Sequence, residues 1–349
     1  MLQTQPSCHP EEQNVQFRGR YADRFGIAAV AVALLCAAVT ASAPRSLAAA
    51  FPEKPIRLIV AFAPGGSADN LARTIQPLWS EALGFPLVID NRPGASSIIG
   101  TEMTAKAPAD GYTILLITTT HSVNPSLIRK LPYDSVRDFA MISLAVSQPN
   151  ILSVHPSVPP RTVKELVELA RAKPNTLNFA SGGNGSSPHL SGELFKIIAG
   201  ITITHIPYKG SGPGVTDLLA GHVQMMFAGP LVLEPHIKSG RVRALAVADL
   251  RRSSVLPNVP TMTEAGFPGV ETGTWYGILA PAATPPEIVR TLNESPVRVL
   301  RAPEIESRLS KQGVDIVASS SQEFRRFMGD EIAKWASVVK QAGIRADSQ

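Results

Sequence analysis

Apolar residues come in short runs along this chain, and most runs are followed by a stretch where apolar positions recur every three or four residues. The run Ile56–Phe62 precedes Leu71, Ile75, Leu78, Trp79 and Leu83 at helical spacing. Further runs predict strands at Leu87–Asp90, Ile114–Ile117, Met141–Val146, Ile151–Val154, Asn178–Ala180, Ile203–Ile206, Met225–Ala228 and Ala244–Val247. Helical patterns lie between them. Such alternation predicts an α/β fold with parallel sheets covered by helices on both faces.

Helix starts are marked by capping chemistry. Thr162 with Glu165, and Ser320 with Glu323, have the spacing of capping boxes, and Ser187-Pro188 reads as a cap before a first-turn proline. The final helix carries Phe324, Phe327, Met328, Ile332, Trp335 and Val339 at helical spacing, a stripe that predicts core packing.

A near-repeat bears on domain organisation. Ile151-Leu-Ser-Val-His-Pro156, followed by Pro159-Pro160 and a helix, is echoed by Ile278-Leu-Ala-Pro281, Pro285-Pro286 and a helix. Two such extended segments suit a chain that leaves one domain near residue 150 and returns near 275. The expected layout is two lobes joined by two crossover strands, with residues 51–150 and 275–349 in lobe 1 and 151–274 in lobe 2. The alternative is one large domain with two unrelated proline-rich loops; ordinary domain sizes favour two lobes.

The first fifty residues follow another pattern. Arg18, Arg20 and Arg24 precede an apolar segment from Ile27 to Val39, too short to span a bilayer, and small residues follow. This is the pattern of a secretory signal peptide, residues 1–50, cleaved near Ala43 or Ala50. The expected location is therefore periplasmic, the alternative being an uncleaved anchor. Both cysteines, Cys8 and Cys36, fall in this leader, so the chain beyond it has no thiol for disulfides, thiolate metal sites or nucleophilic catalysis. Setting aside the leader's four arginines and three acids leaves 29 basic and 25 acidic residues of the chain's 33 and 28. The basic residues are scattered, which gives nucleic-acid binding no support.

Four segments have the composition of cleft loops. Ala63-Pro-Gly-Gly-Ser-Ala-Asp69 joins a strand to a helix through glycines, a turn whose free helical N–H groups suit anionic oxygens. Asp69 is expected to cap its helix and fix this turn. Thr118-Thr-Thr-His121 puts hydroxyls at the end of an apolar strand, the end where open parallel sheets bind ligands. Ser181-Gly-Gly-Asn-Gly-Ser-Ser-Pro-His189 repeats the logic of the first loop. In Pro207-Tyr-Lys-Gly-Ser-Gly212, Tyr208 is expected to wall the cleft, and Lys209 either supplies charge or is solvated. No hydrolase elbow, zinc-protease motif or phosphate-binding loop is present, and the six histidines past the leader lack metal-ligand spacing. Neither cofactor nor metal is expected.

Taken together, these segments resemble the solute receptors of tripartite tricarboxylate transporters, the Bug family. The resemblance covers the chain beyond the leader and rests on the order of several motifs. They are Ala63–Asp69, Asn91-Arg-Pro-Gly-Ala95, Asp110-Gly-Tyr-Thr113, Ser181–Leu190, Ile206-Pro-Tyr-Lys-Gly210, Leu218-Leu-Ala-Gly221, Pro257-Asn-Val-Pro-Thr261 and Glu264-Ala-Gly266. It implies a periplasmic-binding-protein fold of the type II, Venus flytrap kind, closing on a small organic carboxylate and presenting it to the transporter's membrane subunits.

Carried over by that resemblance, the ligand-binding positions are Ala63, Gly65, Gly66, Ser67, Thr118, Thr119, Ser181, Gly185 and Ser186, with Tyr208 and Ala228 added as cleft residues. Two departures stand out. Asn91-Arg-Pro-Gly-Ala95 continues with Ser96-Ser97-Ile98 where relatives have Gly-Gly-Asn, and Ala228 stands where many carry an acid after Met226-Phe227. Loss of that acid favours a ligand with less cationic character. The expected protein is monomeric and captures without chemical turnover. The alternatives are an exported enzyme using Ser186 or His189, and a sensor feeding a membrane kinase.

Overall fold

The computed structural model describes residues 51–341, 343 and 344; the expected signal peptide and its cleavage positions lie outside these. In chain order the strands are β1 (Ile56–Val60), β2 (Leu87–Asn91), β3 (Thr113–Thr118), β4 (Phe139–Val154), β5 (Asn178–Ser181), β6 (Thr204–Pro207), β7 (Met225–Ala228), β8 (Arg243–Ala248), β9 (Gly273–Pro281) and β10 (Asp315–Ile316). The helices are α1 (Ser67–Leu83), α2 (Ile98–Ala105), α3 (Thr120–Leu127), α4 (Val163–Ala172), α5 (Ser187–Ala199), α6 (Ser211–Leu219), α7 (Pro230–Lys238), α8 (Pro286–Leu300), α9 (Pro303–Ser310) and α10 (Ser321–Gln341). Among the described residues, no helix is long and apolar enough to cross a membrane.

The strands run in the order β2-β1-β3-β9-β4-β7-β5-β6, with β10 and β8 also paired to β4. The pairings β1–β2, β1–β3, β5–β6 and β5–β7 are parallel, as the alternation of strands and helices predicts. The centre is antiparallel: β9 pairs antiparallel with both β3 and β4, and β4 with β7 and β8. Its cause is the crossing itself, because one strand leaves the first half of the sheet and the other returns to it. The segments 141–146 and 151–154, expected as two strands, are one. Ser147-Gln-Pro-Asn150 reads as a break in the apolar pattern, yet it continues β4 across the boundary, with Pro149 facing Gly273 in the register.

Each half buries its own apolar faces. The first core gathers Leu58, Ile75, Trp79, Leu116, Ile278 and Phe324, and Trp79 Nε1 donates to Ser295 Oγ at 2.9 Å to join α1 to α8. The second half has a cluster on either face of its sheet, one around Phe179, Phe195 and Phe227, the other around Ile151, Leu218 and Met226. Burying one such side chain is worth about 1.5–3 kcal/mol. A small further cluster spans the halves: Val123 of α3, Leu190 of α5, and Trp335 and Val339 of α10. Of the final helix's stripe, Phe324, Met328, Trp335 and Val339 are buried, and Phe327 and Ile332 pack partly against the first core.

The caps follow the sequence with two shifts. Glu165 N donates to Thr162 Oγ1 (3.2 Å), and Ser320 and Glu323 exchange hydrogen bonds in both directions. The cap of α5 is Ser186 rather than Ser187, so Pro188 occupies the second helical position. Of the two proline-rich crossings, only the second opens its helix on a proline, Pro286; Pro159-Pro160 ends two residues before the Thr162 cap.

Candidate functional site

The turn after β1 is held by its own acid. Gly65 takes a left-handed conformation (φ 75°), and Asp69, in the first turn of α1, reaches back to accept from Gly65 N at 2.9 Å. Asp69 also accepts from Arg73 Nε (2.9 Å) and Asn91 Nδ2 (3.0 Å). Burial pushes its carboxyl up, but the hydrogen bonds from Arg73, Gly65 and Asn91 outweigh that and hold it below the usual range. Its charge fixes the turn as expected, but it does not cap its helix: Gly66 is the N-cap and Asp69 is the third helical residue.

The loop before α6 meets this turn across the cleft at backbone distance. Ala63 N donates to Lys209 O (2.9 Å), and Ser67 N donates to Ser211 Oγ (3.1 Å). Gly212 is the tightest point. A Cβ there would lie 2.8 Å from Pro64 O and 2.9 Å from both Gly65 C and Gly66 N. Lys209 itself is exposed, so of its two expected roles the solvated one holds for the side chain.

Behind this seam lies a cavity of about 40 Å3, lined by residues of both halves. That is room for a few waters or a single carboxylate group. The residues that line it are largely helix starts: Gly66 and Ser67 of α1, Ser186 and Ser187 of α5, Ser211 of α6, and Gly229 before α7. Thr118 adds the end of β3, next to α3. A helix N-terminus carries about half a positive charge and N–H groups without helical partners; here Ser67 N is taken by Ser211 Oγ, His189 N by Ser186 Oγ and Leu231 N by Gln148 Oε1. Gly66, Gly210 and Gly229 have no side chain with which to cap α1, α6 and α7. The site is electropositive, and among its lining residues none carries a formal charge.

The hydroxyls are arranged as donors. Ser186 Oγ accepts the capping bond from His189 N (3.4 Å) and keeps its proton to donate; Ser211 Oγ accepts from Ser67 N and lies 3.5 Å from Ser67 Oγ. Tyr276 of β9 accepts from Gln148 Nε2 at 2.6 Å. Burial pushes its phenol well up, so it stays protonated and keeps a proton to donate. Gln148 Oε1 also accepts from Leu231 N (3.2 Å), tying β4 to the start of α7. Two residues on, Asn150 donates to Ser187 Oγ (2.6 Å) and Ser191 Oγ (2.9 Å) and accepts from Thr274 Oγ1 (3.3 Å). Both carboxamides thus fix the crossover strand to helix starts of the second half.

Of the eleven residues the sequence proposes, the fold brings Gly66, Ser67, Thr118, Ser186 and Ala228 to the cavity wall. The other six lie around it. Ala63 forms the seam; Thr119 Oγ1 accepts from Trp275 N (3.2 Å). Ser181 Oγ hydrogen bonds to His205 Nε2 (2.6 Å), and Gly185 N donates to His189 Nδ1 (3.2 Å). Gly65 and Tyr208 face an outer groove of about 680 Å3 beside the seam. Tyr208 is turned there because its hydroxyl donates to Asp217 Oδ2 (2.5 Å).

Ser186 and His189, each weighed as a reactive group, share a capping bond from His189 N to Ser186 Oγ. His189 stacks on His205 with ring centroids 4.3 Å apart, a packing role. Outside the four loops read from the sequence, Phe62, Gly229, Thr274 and Tyr276 were missed as lining residues; Ser211 falls in the fourth loop but was not singled out. The Gly229-Pro230 pair was a readable signal, a glycine cap before a first-turn proline. Tyr276 had none, because it sits in a strand read only as a short extended segment.

Known proteins share this architecture. A family description, the tripartite tricarboxylate transporter family receptor, matches residues 71–344. Protein BugT of Bordetella pertussis (strain Tohama I) is 39% identical over 298 residues, 84% of this chain and 91% of that protein. Among solved structures, R. palustris Rpa4515 with adipate is 38% identical with a TM-score of 0.82, covering 84% of this chain and 99% of the other. MatC (Rpa3494) from Rhodopseudomonas palustris with bound malate is 31% identical with a TM-score of 0.80, covering 83% and 100%.

Proposed function

This chain belongs to the tripartite tricarboxylate transporter receptor family, a family of solute receptors rather than enzymes, and on that premise we propose that it captures a small organic carboxylate between its lobes and hands it to the transporter's membrane subunits. One observation carries the ligand class: the starts of α1, α5 and α6 and the Ser186 and Tyr276 hydroxyls converge on one cavity whose lining holds no acid. Such a cradle suits carboxylate oxygens, and the adipate and malate held by the two relatives are of that class.

In this reading the lobes are residues 51–150 with 275–349, and 151–274. The protein is exported to the periplasm as a monomer after loss of a leader ending near Ala43 or Ala50. Ligand favours the closed form because donors from both lobes reach it only there. The seam from Ala63 to Gly212 then signals occupancy to the membrane partner.

The test is calorimetric titration of the protein lacking residues 1–50 against a panel of C2 to C6 mono-, di- and tricarboxylates. One or more acids should bind with one-to-one stoichiometry and stay chemically unchanged. Failure of every acid at millimolar concentration overturns the carboxylate reading. Copurification with the membrane subunits tests delivery, and its absence under conditions that retain ligand overturns that part.

A further inference from the structure

We propose that Gln148 is a positioning residue for ligand capture: it stands outside the cavity's lining and acts through Tyr276, by fixing which way the phenol's proton points. The inference rests on the carboxylate reading above and adds a residue to it.

Gln148 and Tyr276 lie on the two crossover strands, β4 and β9, and both side chains are buried. The hydrogen bonds around them have one polarity. Leu231 N can only donate, so the Gln148 atom it meets at 3.2 Å is the carboxamide oxygen. That settles the other end of the group: the atom 2.6 Å from the Tyr276 hydroxyl is Nε2, a donor. A phenol oxygen that accepts from Gln148 must send its own proton elsewhere. Tyr276 lines the cavity, and so does Ser67, the phenol's other hydrogen-bond partner. The proton is therefore directed to the cavity side, where a carboxylate oxygen can take it.

The carboxamide is held in this orientation. Turning it over would set Nε2 against Leu231 N, two buried donors face to face. The Leu231 peptide is itself anchored, because its oxygen accepts from Asn70 Nδ2 of α1 at 3.3 Å. Gly229 leaves the room the group occupies, since a Cβ there would collide with Gln148 Cδ and Nε2. A carboxylate at position 148 would instead accept from both neighbours. Tyr276 would then give its proton to residue 148 and turn lone pairs toward the ligand.

The experiment is a double-mutant cycle read by calorimetry on the protein lacking residues 1–50, with the C2 to C6 acid panel, adipate and malate included. Gln148→Met keeps the length of the side chain and removes both hydrogen bonds. It should weaken binding of the tightest acid about 5- to 10-fold when Tyr276 is present, the worth of one hydrogen bond. In a Tyr276→Phe background the loss should stay within about twofold, because the hydroxyl to be positioned is gone. Equal losses in the two backgrounds would overturn the inference and leave the carboxylate reading intact. Gln148→Glu gives a second reading that stands even where Gln148→Met folds poorly. Tyr276→Phe should weaken binding in the otherwise wild-type protein and strengthen it beside Gln148→Glu, and a loss in both would overturn the orientation. If no acid binds the wild-type protein, the carboxylate reading falls and this inference with it.

Discussion

Replacing Gly212 by alanine tests the seam most directly. The added methyl meets Pro64 O at 2.8 Å and Gly65 C and Gly66 N at 2.9 Å. All three are backbone atoms of the turn after β1, so no rotamer change relieves the clash; the two loops must stand further apart. Overpacking of this kind costs about 1–3 kcal/mol. Charged to the closed form alone, that weakens ligand binding roughly 5- to 150-fold.

The same substitution has the opposite sign within its own helix. Gly212 is in the first turn of α6, where alanine is the better helix former by up to about 1 kcal/mol. The assay therefore pairs calorimetric Kd with denaturant unfolding of the ligand-free protein. Affinity should fall while ligand-free stability holds or rises. Gly329→Ala is the control, because it lies within α10 with nothing inside 4 Å of its Cβ; it should raise stability and leave affinity alone. Unchanged affinity in Gly212→Ala would show that the bound state does not use this seam. A loss of ligand-free stability as large as the loss of binding would place the clash elsewhere.

Three further outcomes follow from the same geometry. Gly66→Val sets a branched side chain where even a Cβ lies 3.2 Å from Ser211 Oγ and 3.3 Å from Gly212 N; binding should fall at least tenfold by calorimetry, and unchanged affinity would remove this turn from the site. Tyr276→Phe deletes a donor to the ligand and leaves Gln148 Nε2 without its 2.6 Å partner, so affinity should drop roughly 10-fold, with stability lower by about 1–3 kcal/mol; no change in either would refute the donor role. His121 is buried, and burial pushes its imidazole from the ordinary 6.5 down to about 4. The unfolded chain therefore takes the proton first as pH falls, and about 3 kcal/mol of stability is lost between pH 6.5 and 4. Unfolding free energies across that window should flatten in His121→Phe, and an unaltered slope would assign the pH dependence to other groups.

What the sequence made legible was local. Apolar runs, glycine turns and caps each report on a few neighbouring residues, and the strands and the Asp69-locked turn follow from them. The crossover strands were less legible because β4 keeps its pairing through Gln148 and Asn150, where the composition reads as a loop. These residues are polar because they hold Tyr276 and Ser187 in place, a long-range requirement invisible to periodicity. Tyr208 shows the converse. Its loop was recognised as cleft-forming, but its ring direction depends on Asp217, nine residues away on α6.

If the cavity grips its ligand through backbone N–H groups as proposed, it separates two tasks that many binding sites place on the same residues. Any amino acid compatible with the fold supplies the same main-chain donor, so the grip on an anion survives extensive divergence. Selectivity falls to the few side chains that enter the wall, Ala228, Thr274 and Tyr276 among them. Relatives at 38% and 31% identity hold a six-carbon diacid and a hydroxylated four-carbon one on this same architecture. Such a scaffold can change its ligand through one or two substitutions while its anion clamp is inherited whole.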